Sequence, residues 1–326
     1  MTVTQADLAS LWSRLAGAGA GQRRFVSLRV DGVGTLDVHA ALRSADHSPC
    51  LLFDAHEGLP DDIEFEVGGM RCARTATDAG QSLVLSLEDS GRRDLFATLG
   101  ADVIEYAANV PGSKALPAVL TRLDAWRLFL RSIGDSMTRS EIIGLIGELR
   151  VLDHLLAVDP SLLATWKAPD DGIHDFEHLG HALEVKATTG PGSRVTISRL
   201  DQLDERGLDR LDLVHVRLYE TPQGESVDDL IERISASLPD AETKRQFSNA
   251  LLRRGLSPDD RRARSGFRTS LQHMISYHVD TGVPRIRRAD VPPPILDVSY
   301  VLDLGQLGSA VEPWPSVMAS LARRSH

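Results

Sequence analysis

Two carboxylates, an ammonium group and a glycine turn lie close together in the segment 172–189, which reads GIHDFEHLGHALEVKATT. Asp175 opens it, the chain turns near Leu179, Gly180 and His181, and Glu184, Val185, Lys186, Ala187 and Thr188 follow. The spacing predicts two short strands joined by a tight glycine turn. A two-residue turn at Leu179-Gly180 sets Asp175 opposite Glu184, and one at Gly180-His181 sets it opposite Lys186. In both registers Asp175 shares a face with Glu184, Lys186 and Thr188, because strand side chains alternate with a period of two. Leu183, Val185 and Ala187 take the other face and read as core.

Neighbouring carboxylates repel, and one takes up a proton unless a cation lies between them. A hard divalent ion such as Mg²⁺ removes the conflict, since it binds carboxylate oxygens and waters. A lysine one alternate position along the strand can hold or polarise a water beside that ion. The plainer alternative is a Glu184–Lys186 salt bridge on a solvated strand, with Asp175 as a turn residue.

A helix must precede this hairpin. In the segment 140–156 apolar residues fall at 142, 145, 146, 149, 152, 155 and 156, which is helical spacing, and Ser140 is the expected N-cap. Gly144 and Gly147 inside it each cost about 1 kcal/mol against alanine, which predicts close packing there. Glu148 lies on the apolar side between Leu145 and Leu149. It either reaches out to water or aims a third acidic group at the same ion.

With Glu148 on a helix, then Asp175, then Glu184-Val185-Lys186, the chain resembles the PD-(D/E)xK nuclease core. The wider text is similar to a bacterial family of PD-(D/E)XK motif proteins. The matching pieces are Gly144–Leu149, Trp166, His174-Asp175-Phe176, Glu184–Thr188, Ile197–Leu203 and Val298-Ser299-Tyr300. The literal Pro-Asp dipeptide is Pro169-Asp170, but a cross-strand partner of Asp170 would fall near residue 190, past the strand end. The motif aspartate is therefore placed at Asp175, preceded by His174.

The resemblance implies an α/β fold, with a restriction-endonuclease-like mixed sheet flanked by helices. It implies a metal-dependent endonuclease that hydrolyses DNA phosphodiesters. Asp175 and Glu184, with the Val185 carbonyl, would hold Mg²⁺ (or Mn²⁺). Lys186 would orient or deprotonate the attacking water, and Glu148 would bind the ion through water. A restriction or phage-defence setting beside ATPase and methyltransferase subunits is implied too. The alternatives are a non-cleaving DNA- or protein-binding subunit of such a complex, and an autonomous interaction module whose Glu184–Lys186 pair is structural.

The rest of the chain must supply the frame. Its 326 residues predict two domains, a β-rich N-terminal domain over 1–112 and a nuclease-like domain over 113–326 with helical and extended additions. Strands are expected at 25–30, 34–38, 50–53, 63–67 and 83–87, and helices at 92–107 and 116–133. Asp61, Asp62, Glu64 and Glu66 read as an acidic edge. After the motif strand come a turn at 190–193, a strand at 194–197 and the start of a helix at 198–203, which would bring Arg194 and Gln202 to the site as accessory groups. The apolar run 211–219 reads as an interior strand with His215 as a hydrogen-bonded core histidine. Helices at 227–238 and 241–254 lead to the densest cationic region: Arg253, Arg254, Arg261, Arg262, Arg264, Arg268, Arg285, Arg287 and Arg288. Arginine forks suit DNA phosphates; a solvated loop paired with Asp259 and Asp260 is the alternative.

The formal charge of −10 argues against a wholly basic nucleic-acid binder, although the local field at a cleft is what matters for a nuclease. Cys50 and Cys72 show no metal spacing and read as reduced thiols of a cytoplasmic protein. No apolar run approaches the roughly 18–20 residues of a membrane span, and the first residues lack a secretion signal. No P-loop, dinucleotide fingerprint or nucleophile elbow is present.

Overall fold

The computed structural model describes residues 3–17, 23–34, 36–55, 59–60, 63–77, 80–108, 110–132, 137–170, 172–256, 266–280, 282–308 and 311–322. They form two compact units, Met1–Gly134 with Gly255–Asp259, and Asp135–Arg254 with Asp260–His326.

The first unit opens with α1 (Gln5–Ala16), whose N-terminus is closed by a reciprocal capping box between Thr4 and Asp7. Six antiparallel strands follow: β1 (Phe25–Arg29), β2 (Val38–Arg43), β3 (Pro49–Ala55), β4 (Phe65–Val67), β5 (Met70–Thr77) and β6 (Gly80–Leu87), in the order β1-β2-β3-β6-β5-β4. Leu8 and Trp12 of α1, Leu51 and Phe53 of β3, and Phe96 of α2 (Arg93–Ala108) are buried. Cys50 and Cys72 are free and buried, and burial pushes both thiols up to about 12. The strand expected at 34–38 begins only at Val38. β5 escapes the sequence pattern because Arg71 and Arg74 interrupt its apolar positions.

The division between units falls after Gly134, later than the Pro111–Ser113 break, so α3 (Gly112–Ser132) belongs to the first unit. The physical reason is an anchor on α2 that receives the buried Arg122 of α3. Asp102 accepts from Arg122 Nε at 2.6 Å and Nη2 at 2.8 Å, and from Trp126 Nε1 at 2.7 Å.

The second unit begins with α4 (Arg139–Val158). Its N-cap is Thr138 rather than Ser140, because Thr138 and Glu141 close a capping box two residues earlier than the apolar pattern suggests. The elements that follow are β7 (Phe176–His178), β8 (His181–Thr188), β9 (Arg194–Ile197), β10 (Arg210–Glu225), α5 (Val227–Ser237), α6 (Ala241–Arg253), β11 (Thr269–His278), β12 (Tyr300–Asp303), β13 (Val311–Glu312) and α7 (Trp314–Leu321). The main sheet runs β13-β11-β10-β8-β7, with β8 and β10 parallel and the other pairs antiparallel. This is the mixed α/β architecture that the sequence implies, and 211–219 does lie inside the sheet.

Both faces of β8 are covered. On one, Gly147 lets α4 approach so closely that a Cβ there would lie 2.6 Å from Ala187 Cβ. On the other, Ala182, Leu211 and Leu213 pack with Val195, Ile197 and Leu302 of the antiparallel β9–β12 pair. The motif strand is thus buried on two sides rather than one. Of the two helical glycines only Gly147 has a packing reason, since a Cβ at Gly144 would meet nothing within 4 Å.

The helix expected to start at Ser198 does not form; 198–203 is a turn. The Gln202 side chain accepts from the backbone N–H of Ser198 at 2.7 Å, and the Leu200 N–H goes to Asp297. These side-chain bonds hold the segment as a turn tied to Asp297. No helix among the described residues is long and apolar enough to cross a membrane.

Candidate active site

The hairpin turn is Leu179-Gly180, with φ of 48° and 79°, so both central residues are left-handed as a type I′ turn requires. Pairing of His178 with His181, Glu177 with Ala182 and Phe176 with Leu183 continues to set Asp175 opposite Glu184, the first of the two registers. β7 stops at Phe176, which leaves the Val185 N–H free for a side chain. Asp175 Oδ2 takes it at 2.7 Å. The Asp175 carbonyl accepts from Lys167 N–H at 2.8 Å and so fixes the entry to the hairpin.

Glu148, Asp175, Glu184, Val185 and Lys186 line one cavity of about 400 Å³, together with Arg194, Gln202 and Arg254. Glu184 is 2 % exposed and Glu148 4 %. Lys186 Nζ stands 2.8 Å from Glu184 Oε1 and donates to Gln202 Oε1 at 3.2 Å. Glu148 is held by three donors: Trp166 Nε1 at 3.1 Å, Arg254 Nε at 3.1 Å and Arg254 Nη2 at 2.7 Å.

The electrostatics of the two hairpin carboxylates run against ionisation. Burial, then the charges of Glu184 and Glu148, raise the Asp175 pKa well above the usual carboxylate range, against the Val185 N–H bond and Lys186. Burial also raises Glu184, with Lys186 opposing. A cation between them would relieve both, and the donors are carboxylate oxygens, which suit a hard divalent ion. The side chains fit such an ion at Asp175 and Glu184. Glu148 differs, because its oxygens are already engaged by Arg254 and Trp166.

Asp170 of the literal Pro-Asp pair is half exposed, pairs with Arg253 Nε at 2.9 Å, and does not line the cavity. His215 lies across the ladder from Lys186, with its Nε2 2.8 Å from Thr188 Oγ1. Burial, with His273 and Arg217 nearby, pushes it down to about 4, so it is neutral, a hydrogen-bonded core histidine.

The expected arginine track is largely spent inside the protein. Arg285 is bound to Glu205 at 2.7 and 3.0 Å. Arg287 meets Glu205 and Asp290, and Arg288 donates to the carbonyls of Pro292 and Leu296. Arg268 pairs with Asp229. Arg261, Arg262 and Arg264 lie outside the described residues. Among the described residues of the set, Arg254 alone lines the cavity. Sequence spacing could not join it to Glu148, which lies 106 positions away.

In the first unit Asp37, His39 and Asp54 bring ligand-type atoms within 4.8 Å of one another. Asp54 already accepts from Ser82 Oγ at 2.7 Å, and Asp37 faces Arg29 Nε at 3.4 Å.

A family model described as "Putative PD-(D/E)XK family member, (DUF4420)" matches residues 8–305. No curated protein and no solved structure matches the chain.

Proposed function

This chain belongs to that PD-(D/E)XK family, and we propose that it is a divalent-metal-dependent nuclease that hydrolyses DNA phosphodiesters within a restriction or phage-defence system. One observation carries the reading. Two carboxylates whose pKa values are raised, the half-buried Asp175 and the buried Glu184, share a cavity with an ammonium group, Lys186, held beside them. Such an arrangement costs stability in a fold and is the one that a phosphodiesterase needs.

Asp175 and Glu184, with the Val185 carbonyl, would hold Mg²⁺ or Mn²⁺, which supplies Lewis acidity at the phosphoryl oxygen and makes water more acidic. The Val185 N–H fixes the Asp175 carboxylate so that its other oxygen is presented in one orientation. Glu184 and Gln202 hold Lys186 from two sides, and its Nζ would orient the attacking water and move a proton there. Arg194, at the start of β9, lines the same cavity and adds positive charge where phosphate would enter.

The test is cleavage of plasmid DNA in Mg²⁺ or Mn²⁺ by wild type and Lys186→Ala. We expect the variant to lose roughly 10²-fold or more in rate, compared at a temperature where melting curves show both proteins folded, because the substitution also leaves buried Glu184 without its cation. Lys186→Ala protein that cuts DNA as fast as wild type removes the catalytic assignment. Retained DNA binding and cellular protection in that variant would instead assign a non-cleaving subunit.

A further inference from the structure

The cavity holds a cation that the roles assigned above leave unused. Arg254 follows α6, where its backbone N–H closes the helix end on Ala250 O, and its side chain turns inward to Glu148. Burying a guanidinium is costly unless it is paired. Glu148 supplies the pair, and Trp166 Nε1 locks Glu148 from a further direction. Trp166 is itself backed by Phe247 of α6, with ring centroids 6.4 Å apart. Helix α4, Trp166 and α6 therefore converge to hold one arginine in one orientation.

That orientation leaves an edge of the fork available. Glu148 takes Nε and Nη2. Among the described residues Nη1 makes no hydrogen bond, and the side chain keeps 28 % exposure. A planar guanidinium binds one oxyanion along its Nε edge and a second along its Nη edge, which an ammonium cannot do. The lining also sets the sign of charge. Glu141, Glu148, Asp175 and Glu184 face Lys186, Arg194 and Arg254, so a divalent ion tips the balance from negative to positive.

We propose that Arg254 is the phosphate ligand of this site, gripping the scissile phosphodiester through its outer edge, and that Glu148 is a positioning residue that acts through Arg254 and not a metal ligand. This rests on the nuclease reading and deepens it. It also gives the paired state of Glu148 a purpose: a carboxylate that bound the ion would have to release both Arg254 bonds.

The experiment uses two readouts that need no cleavage, Mn²⁺ affinity by calorimetry and binding of a fluorescein-labelled DNA duplex in Ca²⁺ by anisotropy. Arg254→Ala strands Glu148 in the interior, so the double variant Arg254→Met/Glu148→Gln, which leaves no buried charge unpaired, is measured beside it. Arg254→Lys and Glu148→Gln complete the set, with melting curves as the check on folding. We expect the double variant to fold like wild type, to keep Mn²⁺ affinity within about two-fold, and to bind DNA roughly ten-fold more weakly. Glu148→Gln should move DNA binding in the same direction with Mn²⁺ affinity unchanged. Arg254→Lys should recover little, since lysine cannot serve Glu148 and a phosphate together.

A ten-fold loss of Mn²⁺ affinity in Glu148→Gln makes Glu148 a metal ligand and overturns the proposal. Unchanged DNA binding in the double variant overturns it as well. Wild-type protein that binds neither Mn²⁺ nor DNA sinks the nuclease reading, and this proposal with it.

Discussion

The main sheet of the second unit buries two groups of charge, and they are built on opposite principles. Asp212 of β10 is fully buried, yet its pKa is lowered. Burial works against it, but His181 Nε2 at 2.6 Å and the Arg210 fork at 2.6 and 2.9 Å outweigh that. Asp175 is half-buried and faces two further carboxylates, and its pKa is raised. One aspartate is surrounded by donors; the other has one backbone N–H, from Val185, against two further carboxylates. A satisfied buried carboxylate stabilises the fold, whereas an unsatisfied one keeps affinity in reserve for something that arrives later. The difference separates a structural cluster from a candidate site more sharply than burial or residue type does.

The largest expected effect falls on the satisfied cluster. Asp212→Ala leaves Arg210 and His181 without their anion and should cost about 3–5 kcal/mol in urea unfolding. A loss under about 1 kcal/mol would remove the contrast.

Asp175→Asn should act in the other direction, raising the stability of the ion-free protein at neutral pH by about 1–2 kcal/mol while abolishing the rise in melting temperature that Mn²⁺ gives to wild type. The pH dependence follows from the signs. Asp175 has a folded pKa above its ordinary 3.8, so its burial lowers stability progressively as pH rises from about 3.8 through the folded value. Asp212 has a folded value below 3.8, so its contribution is complete above that pH and is lost only as pH falls through the lower value. Ion-free wild type should therefore lose stability above pH ~4, and Asp175→Asn should flatten that slope. A slope that is the same in both proteins would show Asp175 to be unstrained.

The smallest test compares two positions on α4, one against the sheet and one on the cavity wall. Gly147→Ala presses on Ala187 and should cost about 1–3 kcal/mol. Gly144→Ala has open space and should gain about 0.5–1 kcal/mol. Equal effects in thermal unfolding would mean that α4 does not meet β8 through Gly147.

Much of the candidate site is legible in the sequence because it is local. Strand alternation put Asp175, Glu184 and Lys186 on one face, a glycine turn offered two registers, and helical spacing set Glu148 toward the apolar side. Those relations depend on chain geometry over a few residues. The register itself was decided by structure, where Leu179-Gly180 takes the type I′ turn and the Val185 N–H finds Asp175.

Other features had no local signal. The helix expected at 198–203 gave way to a turn tied to Gln202 and Asp297, and a partner 97 positions away leaves no local signal. The arginines read as a phosphate track were mostly taken by Glu205, Asp290 and loop carbonyls, because a long cationic side chain pairs with whatever the fold brings near it. The sequence by itself determined which groups share a strand face and which helix carries a glutamate. Only the tertiary structure decided what surrounds each charge. Whether a buried carboxylate meets donors or other carboxylates depends on elements that can be 106 positions apart, as Glu148 and Arg254 are.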